Sequence, residues 1–149
     1  MKTLSMLLVA TVVYVSQPWQ TDFGKATATA REQHKPILLY FSGSDWCGPC
    51  IRLRKEIFNS SAFMSMADST LILVNADFPR SSKHQLDKTL REQNDKLAAQ
   101  YNDAGKFPLT VLINAESGKM VKSWEGFPKE PADKFIGEIK QQADAIAQH

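Results

Sequence analysis

At 149 residues, with 43% hydrophobic and 23% charged side chains, the chain has an ordinary globular composition and enough length for one domain with a substantial core. A formal net charge of +2, with no long basic run and no aromatic residues interleaved with arginines, gives no electrostatic case for nucleic acid or an acidic membrane surface. No internal repeat, low-complexity tract or Gly/Ser-rich linker divides the chain.

Met1-Lys2 precede a mostly apolar stretch, Leu4 to Val15, broken only by Ser5 and Thr11. Its length suits the core of an export signal and is short for a helix that crosses a bilayer. The competing reading is an N-terminal strand or buried helix. Residues 1–17 are expected to be a cleaved signal, with a cut near Ser16 or Gln17, and no cysteine follows that could carry a lipid anchor. The protein is therefore expected to be exported, periplasmic in a cell with two membranes or otherwise secreted, with residues 21–149 as its working domain and no stable membrane span once the signal is removed.

Phe23, Ala26, Ala30 and His34 fall at helical spacing and predict a helix over 21–34, which Pro36 ends by disfavouring helical geometry at Lys35. Ile37 to Phe41 reads as a short strand buried on both faces. Ser42 to Asp45 is a loop, and the run Trp46-Cys47-Gly48-Pro49-Cys50 opens a helix with Ile51, Leu53, Ile57 and Phe58 on its apolar side. Asn59-Ser60-Ser61 breaks that helix with N-cap chemistry before a short helical piece, Ala62 to Ala67. Leu71 to Val74 is a second buried strand. Leu86, Leu90, Leu97 and Tyr101 trace one face of a helix over 83–101. Leu109–Ile113 and Met120–Trp124 form a hairpin across a turn containing Gly118, with Trp124 in the core or on the sheet surface. Pro131 then begins a last helix that buries Phe135, Ile139, Ala143 and Ile146. The order α-β-α-β-α-β-β-α implies an α/β fold, a mixed sheet with helices on both faces.

Cys47 and Cys50 are the only cysteines, three apart where a strand hands over to a helix. A thiolate at a helix N-terminus meets unpaired N–H groups and a partial positive charge, so it should titrate below its ordinary value of about 8.5. Cys47, at the loop edge, is expected to be the exposed attacker of a disulfide, and Cys50, one turn into the helix, the shielded resolving thiol. Pro49 costs no hydrogen bond in the first turn and stiffens it, while Gly48 leaves the backbone open to a substrate chain. Three other readings compete. A structural cross-link closing about four residues would contribute only about 2 kcal/mol, against about 4–5 kcal/mol for a loop of a hundred. A zinc site would need partners that His34, His84 and His149 do not supply by spacing. The third is a module that keeps the motif but mainly binds partners.

With strand Ile37–Phe41, the Trp-Cys-Gly-Pro-Cys motif and Phe107-Pro108 before a later strand, residues 23–146 resemble the thioredoxin superfamily. The stretch from Asp45-Trp46-Cys47 through Glu56-Ile57-Phe58-Asn59-Ser60 to Phe63 is most similar to exported thioredoxin-like domains, such as the soluble terminal domains of transmembrane thiol-disulfide interchange proteins. The resemblance implies a three-layer α/β/α sandwich on a mixed four-stranded sheet, with room for a short extra strand. It implies a cis peptide bond at Pro108 beside the cysteines, Phe107 offering backbone groups to an extended substrate, and Trp46 as one wall of the substrate surface, though a tryptophan there could simply pack. Gly-Pro between the cysteines resembles reducing members, so the expected activity is reduction of protein disulfides; an oxidase or isomerase is the alternative. Partners would be proteins bearing disulfides or thiols and an upstream membrane or periplasmic electron donor, with no nucleic acid, no organic cofactor and no metal.

Two departures stand out. Thioredoxins usually carry a buried Asp on the strand before the motif, where Tyr40 stands here, and a buried Lys on the next strand, near Leu73. Asp45 or Glu56 could handle the proton instead, although surface carboxylates beside a helix are more often only solvated. The segment Pro79–Gln100 is longer than in a minimal thioredoxin, as an extended packing helix or as a partner surface.

Overall fold

The computed structural model describes residues 19–147, so the expected signal over 1–17 and His149 lie outside the described residues. Helix α1 (Phe23–Glu32) starts where Asp22 accepts the Lys25 N–H at 2.9 Å. Its apolar positions Ala26 and Ala30 are buried, but His34 is not part of the helix. That residue takes a left-handed conformation, φ 52°, and turns the chain towards Pro36.

Strand β1 (Ile37–Ser42) follows, then the motif helix α2 (Gly48–Leu53), which continues without a break into one wider π-helical turn, Arg54–Phe58. Ser60 accepts the Phe63 N–H at 3.2 Å and starts α3 (Ser61–Thr70), and β2 (Ile72–Asp77) comes next. A 3-10 turn, Ser82–His84, precedes α4 (Lys88–Tyr101). The helix expected from residue 83 thus begins later, because the Asp87 carboxylate caps Leu90 N–H at 2.9 Å and leaves Leu86 in the connection. Strands β3 (Leu109–Ile113) and β4 (Met120–Glu125) form the hairpin. Helix α5 (Ala132–Ala147) starts one residue later than expected, with the Pro131 carbonyl accepting from Phe135 N–H.

The sheet runs β2-β1-β3-β4, with β1 and β2 parallel and the other pairs antiparallel. Gln20 adds a one-residue parallel bridge on the outer edge of β2: its N–H reaches the Leu73 carbonyl, and its carbonyl accepts from Asn75 N–H, both at 2.9 Å. Side chains alternate across a strand, so β1 serves two cores. Ile37, Leu39 and Phe41 pack with Ala26, Ala30, Leu97 and Tyr101 beneath α1 and α4. Leu38 and Tyr40 pack with Leu53, Phe58, Phe63, Phe135 and Ile139 beneath α2, α3 and α5. This is the three-layer thioredoxin-like sandwich. Trp124 lies against Phe135 on that second face, ring centroids 6.0 Å apart and nearly perpendicular. Ile51 departs from its expected place on the buried side of α2 and is 48% exposed, while Leu53, Ile57 and Phe58 point inward. Among the described residues no helix is long and apolar enough to cross a membrane.

Phe58 is the hub of the aromatic packing on the motif side. Its ring lies 4.7 Å from Phe63, 5.1 Å from Tyr40 and 5.1 Å from Trp19. Phe58→Ala is expected to lower unfolding free energy by about 3–5 kcal/mol, measured by urea denaturation, since a large buried ring leaves a cavity that its neighbours fill only in part.

Candidate active site

The end of β1 sets the site. After Ser42 the chain turns at Gly43, whose carbonyl accepts from Trp46 N–H at 3.3 Å and Cys47 N–H at 2.9 Å. Gly43 is required by close approach: a Cβ there would stand 2.3 Å from the Trp46 ring. Cys47 is the N-cap of α2 in extended geometry, and its Sγ accepts the Cys50 N–H at 3.3 Å. Cys47 and Cys50 are joined as a disulfide, with Cα atoms 5.2 Å apart. Pro49 sits in the first turn, where an N–H has no helical partner. Gly48 is exposed, and a side chain there would meet nothing within 4 Å of this chain.

The expected contrast between an exposed and a shielded sulfur is slight in this disulfide form, with Cys47 4% and Cys50 1% exposed. Bonding to Cys50 holds the first sulfur down against the helix start. The two cysteines differ instead in what surrounds them. On the Cys50 side, Tyr40 donates its hydroxyl to the Cys50 carbonyl at 2.8 Å. Burial pushes the Tyr40 phenol well above its ordinary value, Arg54 opposing and Asp77 adding to the shift, so the group stays neutral and remains a donor. A cavity of about 400 Å³ opens beside Cys50, lined by Tyr40, Ser42, Ser44, Arg54 and Asn75. Leu73 is buried in the same cluster, in place of a lysine.

On the Cys47 side the surroundings are aromatic. Trp46 donates its indole N–H to the Phe78 carbonyl at 2.7 Å, and the Arg80 guanidinium lies 3.7 Å above its ring. Phe107 sits edge-on to both Trp46 and Phe78, 5.4 Å from each. The Phe107–Pro108 peptide bond is cis, Pro108 is buried, and its carbonyl accepts from Gly126 N–H at 2.9 Å. The structure therefore brings Trp46 and Phe107 together beside the cysteines, while Gly48 and Pro49 form the exposed rim of the same turn.

Asp45 and Glu56 are both engaged elsewhere. Asp45 accepts the Arg80 N–H at 2.9 Å, the Ser81 N–H at 2.8 Å and shares a 3.2 Å contact with His84 Nδ1. Glu56 pairs with Arg52 one turn away on the surface, at 3.1 Å. Sequence reasoning missed Phe78 and Arg80 as neighbours of the motif. The signal was the length of the segment Pro79–Gln100, read as an extended packing helix or a partner surface, which did not say which residues approach Trp46. Among the described residues no three His, Cys, Asp or Glu side chains gather to hold a metal ion.

A cysteine pair bonded across the first turn of a helix, at the end of the central strand of this sheet, defines a thiol-disulfide oxidoreductase. The chain belongs to the thioredoxin-like family, whose model matches residues 18–115. It is 35% identical over 122 residues to the disulfide bond reductase DsbH of Chlamydia pneumoniae, spanning 82% of this chain and 70% of that protein. It is also 29% identical over 105 residues to the thioredoxin-related protein DsbJ of the same organism, covering 70% of this chain but only 29% of DsbJ. A solved structure of a DsbH oxidoreductase superposes with a TM-score of 0.76 at 31% identity, over 96% of this chain and 95% of that one. The oxidised C-terminal domain of DsbD from Neisseria meningitidis shares the fold at 21% identity and a TM-score of 0.55, over 80% and 90% of the two chains.

The Asp45 contacts carry a pH signature. Hydrogen bonds from Arg80 and Ser81 N–H, and then from His84, hold its carboxyl below the usual range. Whatever this pairing contributes is fully present above the ordinary carboxyl value of about 3.9 and is lost as pH falls through the lower folded value. The Arg80 and Ser81 amide proton resonances should titrate together with a midpoint below about 3.9, and Asp45→Asn should remove that titration.

Proposed function

We propose that this protein is an exported reductant of protein disulfides, with Cys47 as the attacking sulfur and Cys50 as the resolving one. The observation that carries the reading is the placement of the pair: Cys47 Sγ caps the helix and receives the Cys50 N–H, so a thiolate formed there keeps a donor and the helix N-terminal field. Support for the direction comes from Gly48-Pro49 between the cysteines and from likeness to a protein named as a disulfide bond reductase.

In the reaction, Cys47 thiolate attacks one sulfur of a substrate disulfide. A mixed disulfide forms, and the other substrate sulfur leaves as a thiolate. Cys50 then gives up its proton to solvent, and its thiolate attacks Cys47 Sγ. The Cys47–Cys50 bond forms, the mixed disulfide breaks, and the second substrate thiolate departs and takes up a proton. Two electrons pass to the substrate, so an upstream donor, itself membrane-bound or periplasmic, must return two to the pair. Trp46, Phe107 and Pro108 form the substrate-facing surround, Gly48 lets the substrate backbone approach, and Pro49 keeps the turn rigid. Export rests on the apolar stretch Leu4–Val15, with residues 1–17 as the signal and the domain from 21 working outside the cytoplasm.

Insulin disulfide reduction with dithiothreitol as donor tests the reading. Turnover is expected with the unaltered protein and should fall to background with Cys47→Ser, while Cys50→Ser should accumulate mixed disulfides through Cys47. The equilibrium against glutathione fixes the direction. A potential near about −270 mV sustains a reductant, and one near about −120 mV would overturn it in favour of an oxidase, since 30 mV is about 1.4 kcal/mol.

A further inference from the structure

We infer that the segment after β2 is a specificity wall, and that Arg80 on it selects partner segments carrying an Asp or Glu beside the reactive cysteine. The inference builds on the reading that Cys47 meets an extended stretch of another protein, and names which stretches it prefers.

The wall is fastened to the active-site turn itself. Phe78 N–H reaches the Ser42 carbonyl at 2.9 Å, so the segment leaves β2 alongside the end of β1. Two consecutive amides, Arg80 and Ser81, are held by the Asp45 carboxylate, and the indole N–H of Trp46 holds the Phe78 carbonyl. Asp45 and Trp46 are the two residues immediately before Cys47, so the wall is registered to the sulfur across a few bonds. Between it and Phe107 lies an open groove of about 610 Å³, lined by Trp46, Phe78, Pro79, Arg80, Gly105 and Phe107.

The groove has an apolar floor and one cationic lip. Trp46, Phe78 and Phe107 present ring surface suited to an apolar side chain. Arg80 is exposed, and among the described residues no carboxylate lies within ion-pairing distance of its guanidinium. The nearby Asp45 carboxylate is occupied by two backbone N–H groups and His84, and its side chain is only 11% exposed. Gly105 and Phe107 line the opposite side, and of the charges next to them in sequence Lys106 pairs with Glu125 at 3.0 Å and Asp103 lies two residues before Gly105. A guanidinium stacked on an indole keeps its in-plane N–H donors for a carboxylate, which a lysine in the same place would not orient. Successive residues of an extended segment advance about 3.3 Å, so a carboxylate one or two residues from the cysteine spans the width of the Trp46 ring to reach Arg80.

The test separates binding from electron transfer. Two redox-inert peptides of one sequence, with the reactive cysteine replaced by serine and its neighbour either Glu or Lys, are titrated into the oxidised protein while the Trp46 indole resonance is followed by NMR. The Glu peptide should bind about five-fold more tightly at low ionic strength, the gap closing in high salt, as for one exposed ion pair. Arg80→Gln should erase the preference and Arg80→Glu reverse it. Lys119→Glu, an equal charge change in the β3–β4 turn at the far end of the sheet, should leave the ratio unchanged. Equal affinities in the unaltered protein, no detectable binding of either peptide, or an unchanged ratio in Arg80→Glu would overturn the inference. Because serine peptides exchange no disulfide, these outcomes are decided whichever way electrons move. Failure of insulin reduction would sink the reductase reading alone.

Discussion

Strand β1 is hydrogen-bonded along both edges, in parallel to β2 and antiparallel to β3, and all six of its side chains are buried. A strand held on four sides has no freedom to slip, since a one-residue shift would exchange the two cores. Its last residue, Ser42, is therefore a fixed point. Four residues of turn separate it from Cys47, and the turn is closed by the Gly43 carbonyl and packed by the Trp46 ring. The position of the cysteine pair follows from the sheet through this short lever. The pairing of Phe78 N–H with the Ser42 carbonyl carries the same fixed point across to the neighbouring segment.

The site has two unlike sides. Near Cys50 a cavity opens among the polar groups of Tyr40, Ser42, Ser44, Arg54 and Asn75. Tyr40 stands where a buried acid is usual among thioredoxins, and it offers a neutral hydroxyl to a backbone carbonyl. A carboxylate there would add a negative charge beside Cys50. A phenol that burial keeps protonated adds none, and it braces the first turn of α2 by its carbonyl. Near Cys47 the surface is aromatic and open. The wall there is built from a segment more than thirty residues away in sequence, joined to the turn through Asp45 and Trp46.

Much of the fold was legible in the sequence because its signals are local. Ile37–Phe41 is an unbroken apolar run and Leu109–Ile113 is broken only by Thr110, each bounded by proline or turn residues, and Ser60 before an apolar position announces a helix start. The cysteine pair needed only its own spacing. What escaped depends on tertiary contact. Ile51 was expected inward with Leu53, Ile57 and Phe58, but only the last three of these point into the core. Asp87 competed for the start of α4 and won by capping Leu90, which no periodicity of leucines could reveal. The partners of Asp45 lie 35 and 36 residues onward, and a carboxylate before a helix looks the same in sequence whether it is solvated or holding a loop.

The outer strand β4 carries a different consequence. Among the described residues only one of its edges is paired, and Met120 and Val121 on it are 50% and 45% exposed, which makes it the place where a second chain could add on by backbone pairing. Further along, Lys122 is tied to Glu138 of α5 and Glu125 to Lys106. An incoming strand would have to meet these charges, and the register irregularity at Leu112/Ile113 disturbs the regular ladder beside Met120. The sheet border farthest from β2 is thus guarded by Lys122 and Glu125, each held in an ion pair with a residue outside the strand.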